Sequence, residues 1–190
     1  VTIPDTVLRG RVKYAVVSIG SMAFYKCKTL ESIVIPDHIK SIGTNAFSEC
    51  SALTSVSLPN TITYLNSSLF SNCTALRTFT IPDNITSIYG SVFESCSSLS
   101  EINIPSSVTS IGKYAFRYCN SLKSITIPNS VKSIYRGAFY KCKALTDITL
   151  PDSLTTVSQE MFYECTALES ITIPIGVTHI ENNAFYWCSN

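Results

Sequence analysis

The sequence of 190 residues predicts a right-handed, mostly β solenoid built from eight units of 23 residues. The first observation behind this prediction is the cysteine spacing, because consecutive cysteines from Cys27 to Cys188 are always 23 residues apart. The second is that eight of the nine phenylalanines precede a cysteine by three residues, and seven of the eight prolines keep the same step. Repeats of this length are stable when neighbouring units stack and share one core. We therefore expect a single solenoid domain over residues 1–190.

Each unit divides into three short segments. In residues 122–127, apolar and polar side chains alternate, which predicts a parallel strand with one buried face. The following proline ends the strand, and residues 131–134 predict a second short extended segment on the opposite face of the coil. Phe139 and Cys142 are three residues apart, so we expect them to share one side of a single helical or 3₁₀ turn.

The repeated phenylalanines and cysteines are the predicted core. Cysteine packs well as a small apolar residue, and parallel side chains in register point the same way, which suits disulfide geometry poorly. We therefore expect free, buried thiols. The side chains predicted to form the buried columns are Phe47, Phe70, Phe93, Phe116, Phe139, Phe162, Cys50, Cys73, Cys96, Cys119, Cys142 and Cys165.

Composition and spacing argue against several function classes. A formal charge of +1 gives no general attraction to nucleic acid, and no apolar run is long enough to insert into a membrane. The cysteines are too far apart in sequence for a zinc motif, and His38 and His179 lie six units apart. No phosphate-binding loop or nucleophile motif occurs. We expect neither a catalytic site nor a bound metal or cofactor.

The N-terminal part departs from the repeat. Residues 1–32 form an irregular first unit, and regular repeats follow over residues 33–190. An insertion at residues 8–16 reads as a β-hairpin, with Gly10 supplying the turn. The hairpin could be a cap that shields the first coil, or it could be a basic contact loop. The loop would use Arg9, Arg11 and Lys13.

Two columns of side chains are candidate binding surfaces. In the first strand of each unit, the outward position mostly holds a side chain with a hydroxyl group. Threonine is also common in strands simply because it is β-branched. The candidate residues at this position are Asn103, Thr126, Thr149 and Thr172. The turns of the C-terminal units carry aromatic side chains with polar tips, which either contact a partner or cover the outside of the coil. These are Tyr118, Tyr140, Tyr163, Tyr186 and Trp187.

The repeat resembles one subclass of leucine-rich repeats over the whole chain. Residues 30–50 and 99–119 match the pattern L-x-x-I-x-I-P-x-x-V-x-x-I-G-x-x-A-F-x-x-C of the BspA-like, or treponemal-type, repeats. The resemblance implies an α/β leucine-rich repeat solenoid that is secreted or displayed on a cell surface. It also implies adhesion to host extracellular proteins such as fibronectin or fibrinogen.

Other functions stay open at this point. A structural spacer that displays a neighbouring domain and a glycan-binding module are the alternatives to protein adhesion. The oligomeric state is not indicated by the sequence. Because the chain opens inside a predicted strand and has no distinct polar cap at its last unit, we expect it to be a fragment of a longer protein.

Overall fold

The computed structural model describes residues 1–189, which form a stack of coils with a hairpin at the first coil. The predicted mostly β solenoid is confirmed: short parallel strands and turns alternate, and residues 1–189 contain no helix. Within the stack, paired residues are 23 positions apart, as in Ser124↔Asp147 and Thr156↔His179. One repeat is therefore one coil.

The strands fall into three groups. The hairpin consists of β1 (Thr6–Arg9) and β2 (Val12–Ala15), which pair antiparallel. The first face of the stack carries β4 (Ser32–Val34), β6 (Ser55–Ser57), β8 (Thr78–Thr80), β10 (Glu101–Asn103), β12 (Ser124–Thr126) and β14 (Asp147–Thr149). The second face carries β3 (Ser18–Ile19), β5 (Ser41–Ile42), β7 (Tyr64–Leu65), β9 (Ser87–Ile88), β11 (Ser110–Ile111), β13 (Ser133–Ile134), β15 (Thr156–Val157) and β16 (His179–Ile180).

The strands of the first face expose every second side chain. In β12, Ile125 is buried while its neighbours Ser124 and Thr126 are exposed, which is the alternation that the sequence predicts. A proline lies two residues after the end of each first-face strand, and it cannot extend the ladder because it has no N–H to donate. In the last coil, residues 171–173 form no strand, so the first face ends at β14.

The core is a continuous column of aromatic rings and thiols. All twelve of the phenylalanine and cysteine side chains expected there have 0% exposure. Phe116 stacks between Phe93 and Phe139, with ring centroids 5.5 Å apart on each side. The ninth phenylalanine, Phe79, enters the same core from a strand and contacts two rings of the column at 5.0 and 5.1 Å.

The segment from phenylalanine to cysteine is a turn of another kind than expected. The prediction of a helical or 3₁₀ turn is wrong, because Asn45 and Glu49 have φ of 57° and 61°, in the left-handed region. Amides alternate in their bonding: Ser48 N–H donates back to Asn45 O within the turn, whereas Glu49 N–H donates to Ser71 O in the next coil. The same alternation recurs from coil to coil, so the turns also bind the stack together.

The hairpin has a two-residue turn in which Gly10 adopts a φ of 64°, as the sequence indicates. Its strands begin two residues earlier than the insertion at 8–16. None of the ten hairpin residues is buried, so the hairpin packs little of its own surface against the first coil. Phe24, in that first coil, remains only partly buried.

Candidate binding surfaces

The turns decide which side chains face solvent on the outside of the coil. In the turns from residue 116 onward, the phenylalanine and the cysteine point into the core, whereas the two residues between them are partly or fully exposed. In the C-terminal coils these two positions hold aromatic and charged side chains. Tyr118 and Trp187, with φ of 60° and 58°, occupy the left-handed position just before the cysteine.

The aromatic candidates lie together, and we call them the tyrosine surface: Tyr118, Tyr140, Tyr163, Tyr186 and Trp187. Tyr140 and Tyr163 stack nearly parallel with centroids 4.6 Å apart, and Tyr163 and Tyr186 are 5.1 Å apart. Trp187 lies 5.7 Å from Tyr186 at an interplanar angle of 9°. Tyr118 meets Tyr140 edge-on at 6.1 Å. The structure therefore brings all five predicted residues into one cluster.

Two cations also belong to this cluster, and neither is among the residues predicted for it from the sequence. The Arg117 guanidinium lies 4.8 Å from the Tyr118 centroid and 5.2 Å from that of Tyr140. Lys141 Nζ lies 5.5 Å from the Tyr140 centroid and 3.1 Å from Glu164 Oε1. Their positions in the repeat could have indicated this, because Arg117 and Lys141 occupy the same two outward turn positions as the aromatic residues.

The electrostatics keep this surface polar but nearly neutral. Arg117 pairs with Glu94 at 3.3 Å, and the hydrogen bond from Lys141 to Glu164 raises the pKa of that lysine. A tyrosine phenol is protonated at neutral pH and can donate a hydrogen bond, and partial burial raises the pKa of Tyr140 further. The cluster thus offers hydroxyl donors and apolar ring edges.

Most ring faces of the tyrosine surface are covered by neighbouring side chains of the cluster. Tyr163 has a stacked ring on both sides, and Tyr140 lies between Tyr163 and the Arg117 guanidinium. Trp187 is 64% exposed and Tyr186 is 46% exposed, so access is greatest at the C-terminal side. The tyrosine surface therefore presents ring edges and hydroxyls along its length.

The polar candidates of the first face form a separate surface. Asn103, Thr126 and Thr149 end β10, β12 and β14 with exposed side chains, and Thr172 is exposed in the last coil outside any strand. A shallow cavity of about 380 Å³ includes Thr149 and Thr172. Nothing aromatic lines that cavity, so it offers hydrogen bonds without an aromatic anchor.

Another cavity, of about 480 Å³, opens on the second face near β13 and β15. Lys113, Lys132 and Tyr135 line it together with Arg136. Arg136 is held by Glu160 through hydrogen bonds of 2.9 and 3.1 Å, so its charge is already compensated. None of the predicted site residues lines this cavity.

The interior cysteines do not form a reactive site. Each interior thiol donates to the phenylalanine carbonyl of the preceding coil, as Cys96 Sγ does to Phe70 O at 3.2 Å. Burial raises the pKa of Cys96 and of Cys142 to about 12, which leaves almost no thiolate at neutral pH. Residues 1–189 hold no group of three metal-ligating side chains, and none of their segments is a helix long and apolar enough to span a membrane.

Comparison with known proteins gives a family match. The model described as "BspA type Leucine rich repeat region" matches residues 17–127 and 109–190, in six copies. No curated protein matches the sequence.

Solved structures resemble the chain as well. A T. pallidum leucine-rich repeat protein is 28% identical with a TM-score of 0.66, covering 92% of this chain and 71% of its own. A leucine-rich repeat protein from Bacteroides ovatus is 22% identical with a TM-score of 0.51, covering 98% of this chain and 84% of its own. The second likeness shows the fold alone.

Proposed function

The chain belongs to the BspA-type leucine-rich repeat family, and we propose that it is a non-catalytic extracellular module that binds a protein through the tyrosine surface. Repeat solenoids of this kind present large surfaces that suit protein binding and scaffolding. The observation that carries the proposal is the stacked cluster of Tyr140, Tyr163 and Tyr186, joined by Trp187. Tyrosine, tryptophan and arginine are enriched among the side chains that dominate binding energy at protein interfaces.

The geometry of the rings favours a protein over a glycan. A sugar ring packs on an exposed aromatic face, and the faces of Tyr140 and Tyr163 are covered by their neighbours. Ring edges with hydroxyl tips instead suit the mixed apolar and hydrogen-bonding surface of a protein. Stacking also fixes the tyrosines before binding, which lowers the entropy that they lose on association.

The proposed partner is a host extracellular protein, with fibronectin and fibrinogen as the first candidates, and the proposed location is the cell surface or the extracellular space. This choice rests on the resemblance to BspA-like proteins. The low charge of the tyrosine surface supports a partner that is not strongly charged, because Arg117 and Lys141 are each paired with a glutamate.

Surface plasmon resonance tests the proposal. The immobilised chain is exposed to fibronectin, to fibrinogen and to a panel of glycans, and we expect saturable binding to at least one protein. The double variant Tyr140→Ser and Tyr163→Ser removes two rings from the cluster and should weaken that binding at least about tenfold.

The matched control is the double variant Thr126→Ala and Thr149→Ala, which alters the first face and should bind as the parent does. Binding to glycans alone would overturn the choice of a protein partner. Binding to nothing would favour a spacer that only displays neighbouring segments. Loss of binding in the threonine variant alone would place the site on the first face.

A further inference from the structure

The N-terminal hairpin presents a second candidate binding surface, and its apolar side chains do not pack into a core. Leu8 is 74% exposed and Val12 is 53% exposed, although both lie within strands. An isolated two-stranded hairpin is at best marginally stable in water. A third strand, or another surface that covers the hairpin, would therefore increase its stability.

The backbone edges of the hairpin are also open. Val16 N–H donates to Asp5 O at 2.9 Å, which makes residues 5 and 16 a hydrogen-bonded pair. Because such pairs alternate along an antiparallel ladder, Thr6↔Ala15 and Leu8↔Lys13 are non-hydrogen-bonded pairs, and their backbone groups point outward. Within residues 1–189, no backbone bond from outside the hairpin reaches these groups. Both edges can therefore accept another strand.

The hairpin carries a concentrated positive charge. Its basic residues are Arg9, Arg11 and Lys13, and no aspartate or glutamate lies between Thr6 and Ala15. None of the three forms an ion pair within the part of the chain that the structure describes. The nearest acid in sequence is Asp5, and its Oδ1 contacts His38 Nδ1 at 3.0 Å.

We propose that the hairpin binds an extended, acidic segment of a partner protein by strand addition. The open edge supplies backbone hydrogen bonds, and the three cations select an acidic sequence. A membrane is a poorer fit, because the register puts Val7 with Arg9 on one face and Leu8 with Lys13 on the other, so neither face is wholly apolar. A sulfated polysaccharide would pair with the charges but leave the backbone edge without partners.

This site is independent of the tyrosine surface. The hairpin belongs to the first coil, whereas the tyrosine surface begins at Tyr118. Variants at one site can therefore be used as controls for the other, and either proposal can fail while the other holds.

Fluorescence polarisation tests the proposal with the full chain and a labelled peptide of alternating glutamate and valine. We expect saturable binding that weakens as salt is added, and no binding of the matched lysine–valine peptide. The double variant Arg9→Glu and Arg11→Glu should weaken binding about tenfold or more. The double variant Tyr140→Ser and Tyr163→Ser should bind the peptide as the parent does.

Two proline variants separate strand addition from simple charge attraction. Leu8→Pro and Ala15→Pro each remove one outward N–H, on opposite edges, while leaving the bonds between β1 and β2 in place. Loss of peptide binding in one of them supports the proposal and identifies the edge. Unchanged binding in both would overturn it. Absence of saturable peptide binding, or equal binding of heparin or anionic vesicles, would overturn it too.

Discussion

At the scale of single residues, the buried thiols are held by hydrogen bonds as well as by packing. Cys142 Sγ donates to Phe116 O at 3.1 Å, and Cys119 Sγ donates to Phe93 O at 3.2 Å. The bond gives each polar hydrogen a partner inside an apolar core, where an unpaired donor would be costly. Each thiol thus links two successive coils.

The thiols should be slow to react in the native chain. Burial raises the pKa of Cys50 to about 11 and that of Cys96 to about 12, so thiolate is scarce at pH 8. We expect a thiol reagent to modify the interior cysteines only after denaturation, and Cys27 and Cys188 earlier, because they are only partly buried. Eight thiols should be counted in the denatured, non-reduced chain, and a clearly lower count would show that disulfides form.

The same pKa shifts predict a loss of stability in alkaline solution. A cysteine in the unfolded chain loses its proton near pH 8.5, whereas Cys96 and Cys142 keep theirs to about 12. Between these values the unfolded state binds fewer protons, so the free energy of unfolding falls as pH rises. Urea denaturation at pH 8 and at pH 10.5 measures the fall. An unchanged midpoint would contradict the burial of these thiols.

The left-handed turn residues give another test at this scale. Ser91 has a φ of 58°, which is unfavourable for a residue with a Cβ, and Gly137 occupies the same position two coils later. Ser91→Gly should therefore stabilise the chain by about 1 kcal/mol. Ser133→Gly, in strand β13, should destabilise it by about 0.5–1 kcal/mol. Chemical denaturation of both variants checks the opposite signs.

At the scale of elements, the sequence predicts the strands well and the turns poorly. Period-two alternation identifies which side of a strand is buried, as Ile125 shows. The spacing of Phe47 and Cys50 is met equally by a 3₁₀ turn and by the observed turn, in which both side chains also point inward. What separates the two is a positive φ stabilised by hydrogen bonds between coils, and Glu49 or Tyr118 at that position gives no compositional sign of it.

Contacts on the binding surfaces are likewise only partly predictable from the sequence. The column of tyrosines can be read from the repeat, but the partners of Arg117 depend on side-chain directions that the spacing leaves open. Gly10 marks the hairpin turn, yet nothing local decides whether the hairpin folds over the first coil or projects from it.

The phenylalanine column predicts a graded response to truncation. Phe116 has 0% exposure and stacks on two rings, so Phe116→Ala should cost about 3–5 kcal/mol. Phe185 is partly buried and stacks only on Phe162, at 5.4 Å, among the described residues, so the same change there should cost distinctly less. Thr126→Ala, at an exposed strand position, should cost less than about 1 kcal/mol.

Chemical denaturation of these three variants decides the order. A loss at Thr126 as large as that at Phe116 would mean that the inside and the outside of the coil had been assigned the wrong way round.

At the scale of the whole molecule, the chain is a linear stack in which each coil contacts mainly the coils before and after it. Stability in such arrays is close to a sum of coil and interface contributions. Binding chemistry can therefore differ from coil to coil while the core stays the same. The tyrosine surface and the hairpin lie on different coils of one continuous core.

The 23-residue coil is the structural unit of the chain, and the stability of a variant that lacks one whole coil is the sharpest test of this. Removing residues 53–75 joins Ala52 to Leu76 in the original register and should leave a cooperative thermal transition. Removing residues 54–75, one residue fewer, shifts every inward side chain downstream relative to the coils before it. We expect the in-register deletion to unfold cooperatively at a somewhat lower temperature than the parent, and the out-of-register deletion to lose most of its stability. Equal stability of the two deletions, or loss of folding in the in-register one, would mean that the 23-residue coil is not the structural unit.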